Sequence, residues 1–198
     1  IQTGMIDWTI APAQADIPKL QATKGLQSAK MYNPFYWHVV FNSNRAPFND
    51  ARVRQAAALV IDPGALAKVM NQRIGVKFSG GWFPEGLGLE QYGADVLATQ
   101  KYFRPPTEED IAEAKQLLSD AGYPNGEGMP VIDLPSKAPY AGVSELMQAQ
   151  LLQHLDLKSE VRVVDVGVWR ETKANGTFDI GLNNAVYTVP VPEVFINN

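Results

Sequence analysis

Two histidines, His38 and His154, are all the imidazole in this 198-residue chain, and cysteine is absent. A nucleophilic triad would set one histidine beside an activated serine. No G-x-S-x-G elbow occurs, and Ser79 in Lys77-Phe78-Ser79-Gly80-Gly81 lacks the flanking pattern. His38 stands beside Trp37 in an apolar run, and His154 falls near a helix end, where a cation suits the dipole. Both read as structural or surface histidines, and no catalytic residue is assigned. Lacking cysteine, the chain has no disulfide, thiolate nucleophile or Cys-based zinc site. Glu108-Glu109-Asp110 is explained as charge at a helix start, and no H-x-x-x-H pair or EF-hand loop is present. Gly86-Leu87-Gly88 lacks the third glycine of a dinucleotide fingerprint. Neither a metal nor a cofactor is implied. Asn175-Gly176-Thr177 matches a glycosylation sequon, which a tight turn explains equally well.

Binding chemistry is better represented. Trp82 and Phe83 fall in a Gly/Pro-rich loop, residues 72 to 106, of a length that is often functional. Asn183, Asn184, Tyr187 and Thr188 follow the last expected strand, where α/β sheets present residues to a ligand crevice. A side-chain amide both donates and accepts, and an aromatic face covers apolar or sugar-ring surface. The candidate ligand-binding residues are therefore Trp82, Asn183, Asn184, Tyr187 and Thr188.

The elements that must position them are legible from spacing. Residues from Tyr36 to Asn42 read as a strand rich in aromatic and β-branched side chains. Asn49-Asp50 offers a cap to a helix buried through Val53, Ala56, Ala57 and Val60, and Asp62-Pro63 opens a second helix. Thr107 caps a third, which Gly122 and Pro124 end. Val131–Leu134, Glu160–Val164 and Phe178–Leu182 read as strands, separated by helices over Tyr140–Leu155 and Val168–Ala174. That β-α-β-α-β order predicts an α/β fold with a mixed, mostly parallel sheet and flanking helices. Composition agrees: 45% hydrophobic and 19% charged residues exclude disorder, and a net charge of −4 offers no basic stripe for nucleic acid. No run of 18 apolar residues is present to span a membrane.

Several runs resemble one known family, the extracellular solute-binding proteins of family 5, the peptide/nickel-type receptors of ABC importers. They are Phe41-Asn42-Ser43-Asn44-Arg45-Ala46-Pro47-Phe48-Asn49-Asp50-Ala51-Arg52-Val53-Arg54-Gln55-Ala56, then Val60-Ile61-Asp62-Pro63, then the helix ending Ala121-Gly122-Tyr123-Pro124-Asn125-Gly126. Gly4-Met5-Ile6-Asp7 and Phe178-Asp179-Ile180 add two weaker matches in family order.

The resemblance implies one lobe of a periplasmic-binding-protein-like two-lobed clamp. Residues 1–29 would lead from a missing partner lobe, and residues 30–198 would form the C-terminal ligand-binding lobe. It further implies a monomeric receptor, periplasmic or a cell-surface lipoprotein, that delivers a small solute to an ABC permease. Arg52 and Arg54 point away from the apolar face and are expected to be scaffold. Peptide-binding members carry an aspartate for the peptide ammonium where this chain, aligned on Pro192 and Phe195, has Thr188; Ala185 stands at their tryptophan position. Burying an ammonium without a carboxylate is costly. A saccharide or other neutral solute is the expectation, with a peptide receptor of the same family or a non-transport sensory module as alternatives. A hydrolase on an α/β scaffold would need His38 or His154 as its base.

Overall fold

The computed structural model describes residues 14–28, 35–74 and 99–186, together with Asp7 and Val96. A short helix, α1 (Ile17–Gln21), follows a 3-10 turn at Gln14–Asp16. The helices that build the core start where their caps require. Asp50 caps α2 (Ala51–Val60) by accepting the Arg52 N–H at 2.8 Å. Asp62 serves α3 (Pro63–Ile74) in the same way, taking the N–H groups of Gly64 and Ala65 at 2.8 and 3.0 Å. Thr107 and Asp110 satisfy each other's backbone N–H in a capping box at the start of α4 (Glu108–Asp120). Arg104 grips the Asp110 carboxylate with Nη1 at 2.5 Å and Nη2 at 3.1 Å, which holds that carboxyl at about 2.

Both arginines of the Arg52-Val53-Arg54 run are bound to the scaffold. Arg52 pairs with Asp50 at 2.6 Å and donates to the Asp120 carbonyl at 2.6 Å, tying the start of α2 to the end of α4. Arg54 donates to the Phe48 carbonyl at 2.6 Å. After α4 the chain turns at Gly126, whose φ is +78°. A Cβ there would lie 2.9 Å from the Leu155 carbonyl oxygen, so the turn can rest against the end of α5 (Ala141–Leu155) only as glycine.

Among the described residues, four strands form two ladders rather than one sheet. β1 (Phe35–Phe41) pairs antiparallel with β4 (Ile180–Val186), in register from Phe35↔Val186 to Phe41↔Ile180. β2 (Ile132–Lys137) pairs parallel with β3 (Ser159–Val164) across the α5 crossover. A further helix, α6 (Val166–Ala174), leads from β3 back to β4. The core lies where α2, α4 and α5 meet the sheets, around Val53, Leu118, Leu134, Met147, Leu151 and Ile180.

The expected mostly parallel sheet is thus corrected: among the described residues only β2 and β3 are parallel. A backbone donor is missing at the place where the ladder would continue. Ile132 donates toward the β3 side, to the Lys158 carbonyl at 2.9 Å, so Asp133, Pro135 and Lys137 turn their backbone edges the other way. Proline has no N–H to give there.

Side chains close the seam instead. Asp179 Oδ2 accepts the Asp133 N–H at 2.8 Å, and the Asp179 N–H donates to the Asp133 carbonyl at 3.2 Å. The Asp179 carbonyl also takes the Asn42 N–H at 2.9 Å, and Arg45 pairs with its carboxylate at 3.3 Å. Asn42, itself buried, donates its amide to the carbonyls of Gly176 and Phe178 at 2.8 and 2.9 Å. The Asn175-Gly176-Thr177 segment is accordingly a turn, anchored from the end of β1.

Asn42→Ala leaves two carbonyls without a donor and should cost about 2–3 kcal/mol, read as a lower urea midpoint at unchanged slope. For Asp110, a carboxyl near 4 when unfolded and about 2 when folded stabilises fully above about pH 4 and ceases to do so as pH falls through about 2. The gap in melting temperature between wild type and Asp110→Asn should therefore be wide at pH 5 and shrink toward pH 2.

Candidate functional site

Successive side chains of a strand face opposite ways, and directly opposed residues of an antiparallel pair share a face. Trp37, Val39 and Phe41 of β1 pack toward the core, so His38 and Val40 face away. Their partners follow: Asn184 opposes Trp37, and Asn183 opposes His38. Both amides lie inside β4 rather than beyond it, and they open on opposite faces of the ladder. This corrects the placement expected from sequence. Trp82, Tyr187 and Thr188 lie outside the described residues, as does nearly all of the 72 to 106 segment before Thr99.

On the Asn183 face lies α6. A Cβ on Gly181 would come within 2.7 Å of the Trp169 ring, so glycine is what lets this helix press on the strand. Lys173 Nζ reaches Asn183 Oδ1 at 3.4 Å. Burial, and then the Lys173 charge, holds the His38 imidazole below its ordinary pKa. An open hollow of about 650 Å³ adjoins this face, lined by Asn42, Asn44, Arg45, Lys173 and Asn183 among others.

The Trp37 face carries a different arrangement. Trp37 and Tyr140 meet with ring centroids 4.4 Å apart at an interplanar angle of 54°. Lys137 places its ammonium 5.6 Å from the Trp37 centroid and 5.1 Å from that of Tyr140. Lys137 is the last residue of β2, and the turn Ala138–Tyr140 carries the chain from it into α5. The cluster therefore sits at the carboxyl end of a parallel strand, where crevices of such sheets take ligands. Burial lowers the Lys137 pKa, helped by the Lys173 and Arg170 charges, and burial raises that of the Tyr140 hydroxyl.

Sequence reasoning missed Trp37, Lys137 and Tyr140 as a group. The aromatic run around Trp37 was absorbed into a strand, while a lysine just before Pro139-Tyr140 at a helix start was the available signal. Elsewhere, burial and the nearby Lys115 lower the pKa of His154, in the last turn of α5. Among the described residues no group of three acidic or imidazole side chains could hold a metal, and no helix is long and apolar enough to cross a membrane. Because Lys173 opposes protonation of His38, Lys173→Ala should raise the His38 pKa toward 6.5, as an NMR titration of its ring protons would record.

These features define a mixed α/β domain with a cluster of Trp37, Tyr140 and Lys137 at its strand ends and an open polar hollow beside Asn183. The chain belongs to the bacterial extracellular solute-binding proteins, family 5, whose middle-region model matches residues 1–198. That family is one of solute-binding proteins and not of enzymes. Heme-binding protein A of Haemophilus influenzae is 29% identical over 126 residues, which cover 64% of this chain and 21% of that protein. Di/tripeptide-binding protein 1 of Pseudomonas aeruginosa is 23% identical over 183 residues, 90% of this chain and 32% of that protein. The chain thus spans about a third or less of these relatives. Among solved structures, OppA of Burkholderia pseudomallei superposes with a TM-score of 0.70 at 19% identity, over 98% of this chain and 38% of that one. That likeness supports the fold alone.

Proposed function

We propose that this chain is part of the solute-binding component of an ABC-type importer, acting as a monomer in the periplasm or at the cell surface. Residues 30–198 form its ligand-binding lobe, and residues 1–29 lead into it from the partner lobe. Solute is captured between the lobes, and the closed form is what the membrane permease engages. Binding energy that favours the closed state over the open one drives that closure. The observation that carries the reading is the match of the whole chain to the family-5 solute-binding proteins, with Trp37, Lys137 and Tyr140 clustered at the strand ends.

The solute is of the peptide class in preference to a saccharide. The relatives' names speak of haem and of di- and tripeptides, and neither is a neutral sugar. A saccharide was expected from Thr188 at the aspartate position and from Asn183, Asn184, Trp82 and Tyr187 lining one crevice. Asn183 and Asn184 open on opposite faces, so the two amides do not serve one ligand together.

The test is a thermal-shift screen of the full-length receptor against mixed tripeptides, haem and oligosaccharides. A ligand at 100 times its Kd adds about 2.7 kcal/mol, a rise of a few degrees. A rise with tripeptides is the expected result; a rise with oligosaccharides alone would overturn the peptide assignment.

A further inference from the structure

We infer that Pro135 keeps β2 and β4 unzipped, so that the two ladders pivot about Asp179 and part and close at their strand ends. The motion lies within this domain and does not depend on the class of solute proposed above.

Neighbouring strands of a sheet are held together by backbone bonds that repeat along their length. β4 lies against β1 on one side and β2 on the other. The Asn42 N–H donates to the Asp179 carbonyl at 2.9 Å, one step before the Phe41↔Ile180 pair. Antiparallel alternation then turns the backbone groups of Gly181 and Asn183 toward β1, and those of Leu182 and Asn184 toward β2. The edges of Asp133, Pro135 and Lys137 face them from β2, yet among the described residues no ladder joins the two strands.

Three positions along that edge behave differently. At Asp133 the seam is shut, because Asp179 Oδ2 accepts its N–H at 2.8 Å and the Asp179 N–H donates to its carbonyl at 3.2 Å. Arg45 braces the same carboxylate at 3.3 Å. At Pro135, the next residue on this edge, there is no N–H to donate. Proline belongs on sheet edges, and this one is buried, so it makes an edge in the interior of the domain. Beyond Lys137 the two ladders meet again through rings alone, with the Trp37 and Tyr140 centroids 4.4 Å apart. One ring contact is weak beside a run of backbone bonds, so it acts as a clasp. The seam thus has a hinge at Asp179, an unpaired stretch at Pro135 and a clasp at Trp37 and Tyr140.

The experiment records NMR relaxation dispersion on the solute-free, full-length receptor, which reads motion on the microsecond-to-millisecond scale. Wild type should show exchange broadening at the Trp37 indole N–H and the Asn184 backbone N–H, and none at the backbone N–H groups of Asn42 and Asp179. Pro135→Val supplies the missing donor at nearly the same volume. It should lower the open population about 3- to 10-fold, the factor that one net backbone hydrogen bond provides. Unshifted Asn42 and Asp179 signals would show that the variant folds. Pro135→Ala supplies the same donor with less bulk and should act in the same direction.

A rigid seam predicts flat profiles at Trp37 and Asn184 in the wild type, or broadening there that both Pro135 variants leave unchanged. Broadening of equal size at Asn42 and Asp179 would mean that the hinge is not at Asp179. Any of these results overturns the inference and leaves the importer reading standing, since no solute enters the measurement.

Discussion

The structure depends on how one buried aspartate is used. Asp179 is 3% exposed, and its backbone and carboxylate reach Asp133 of β2, Asn42 at the end of β1 and Arg45. No ladder joins β2 to β4, so these contacts carry the alignment that a continuous sheet would supply from its backbone. Burying a carboxylate is unfavourable unless hydrogen bonds and a cation surround it, and here both are present. Asn42 works from the other side, drawing the Gly176 and Phe178 carbonyls onto the end of β1.

The same view explains what the family motifs encode. Asp50 caps a helix, Arg52 and Arg54 bond backbone carbonyls, and Gly126 rests against a carbonyl oxygen. Asn42 and Asp179 hold the seam. Each is fixed by backbone geometry, so these residues serve the fold and are silent on the solute. Trp37, Lys137 and Tyr140 lie outside those runs.

How much the sequence disclosed follows from the range of the forces involved. Helix starts at Asp50, Asp62 and Thr107 were legible because capping is settled within three or four residues. The parallel pairing of β2 with β3 followed from the helix between them. The antiparallel pairing of β1 with β4 did not, since about 140 residues separate the strands and no local signal links them. Pro135 was in plain view, yet its effect depends on which edge of β2 it occupies, a register fact rather than a composition fact. The opposed faces of Asn183 and Asn184 were hidden for a related reason: the strand was expected to end at Leu182, and alternation matters only if it continues.

The seam also bears on recognition at a distance. The aromatic cluster takes Trp37 from one ladder, Lys137 from the end of the other and Tyr140 from the turn that follows, so its width is set by how the ladders are aligned. A continuous sheet would lock that spacing with backbone bonds repeated at every second residue. Here a few side chains around Asp179 set it, and they act as an adjustable joint at the opposite end of β1 from Trp37. A substitution at the joint would shift the spacing of Trp37, Lys137 and Tyr140 without altering any of the three.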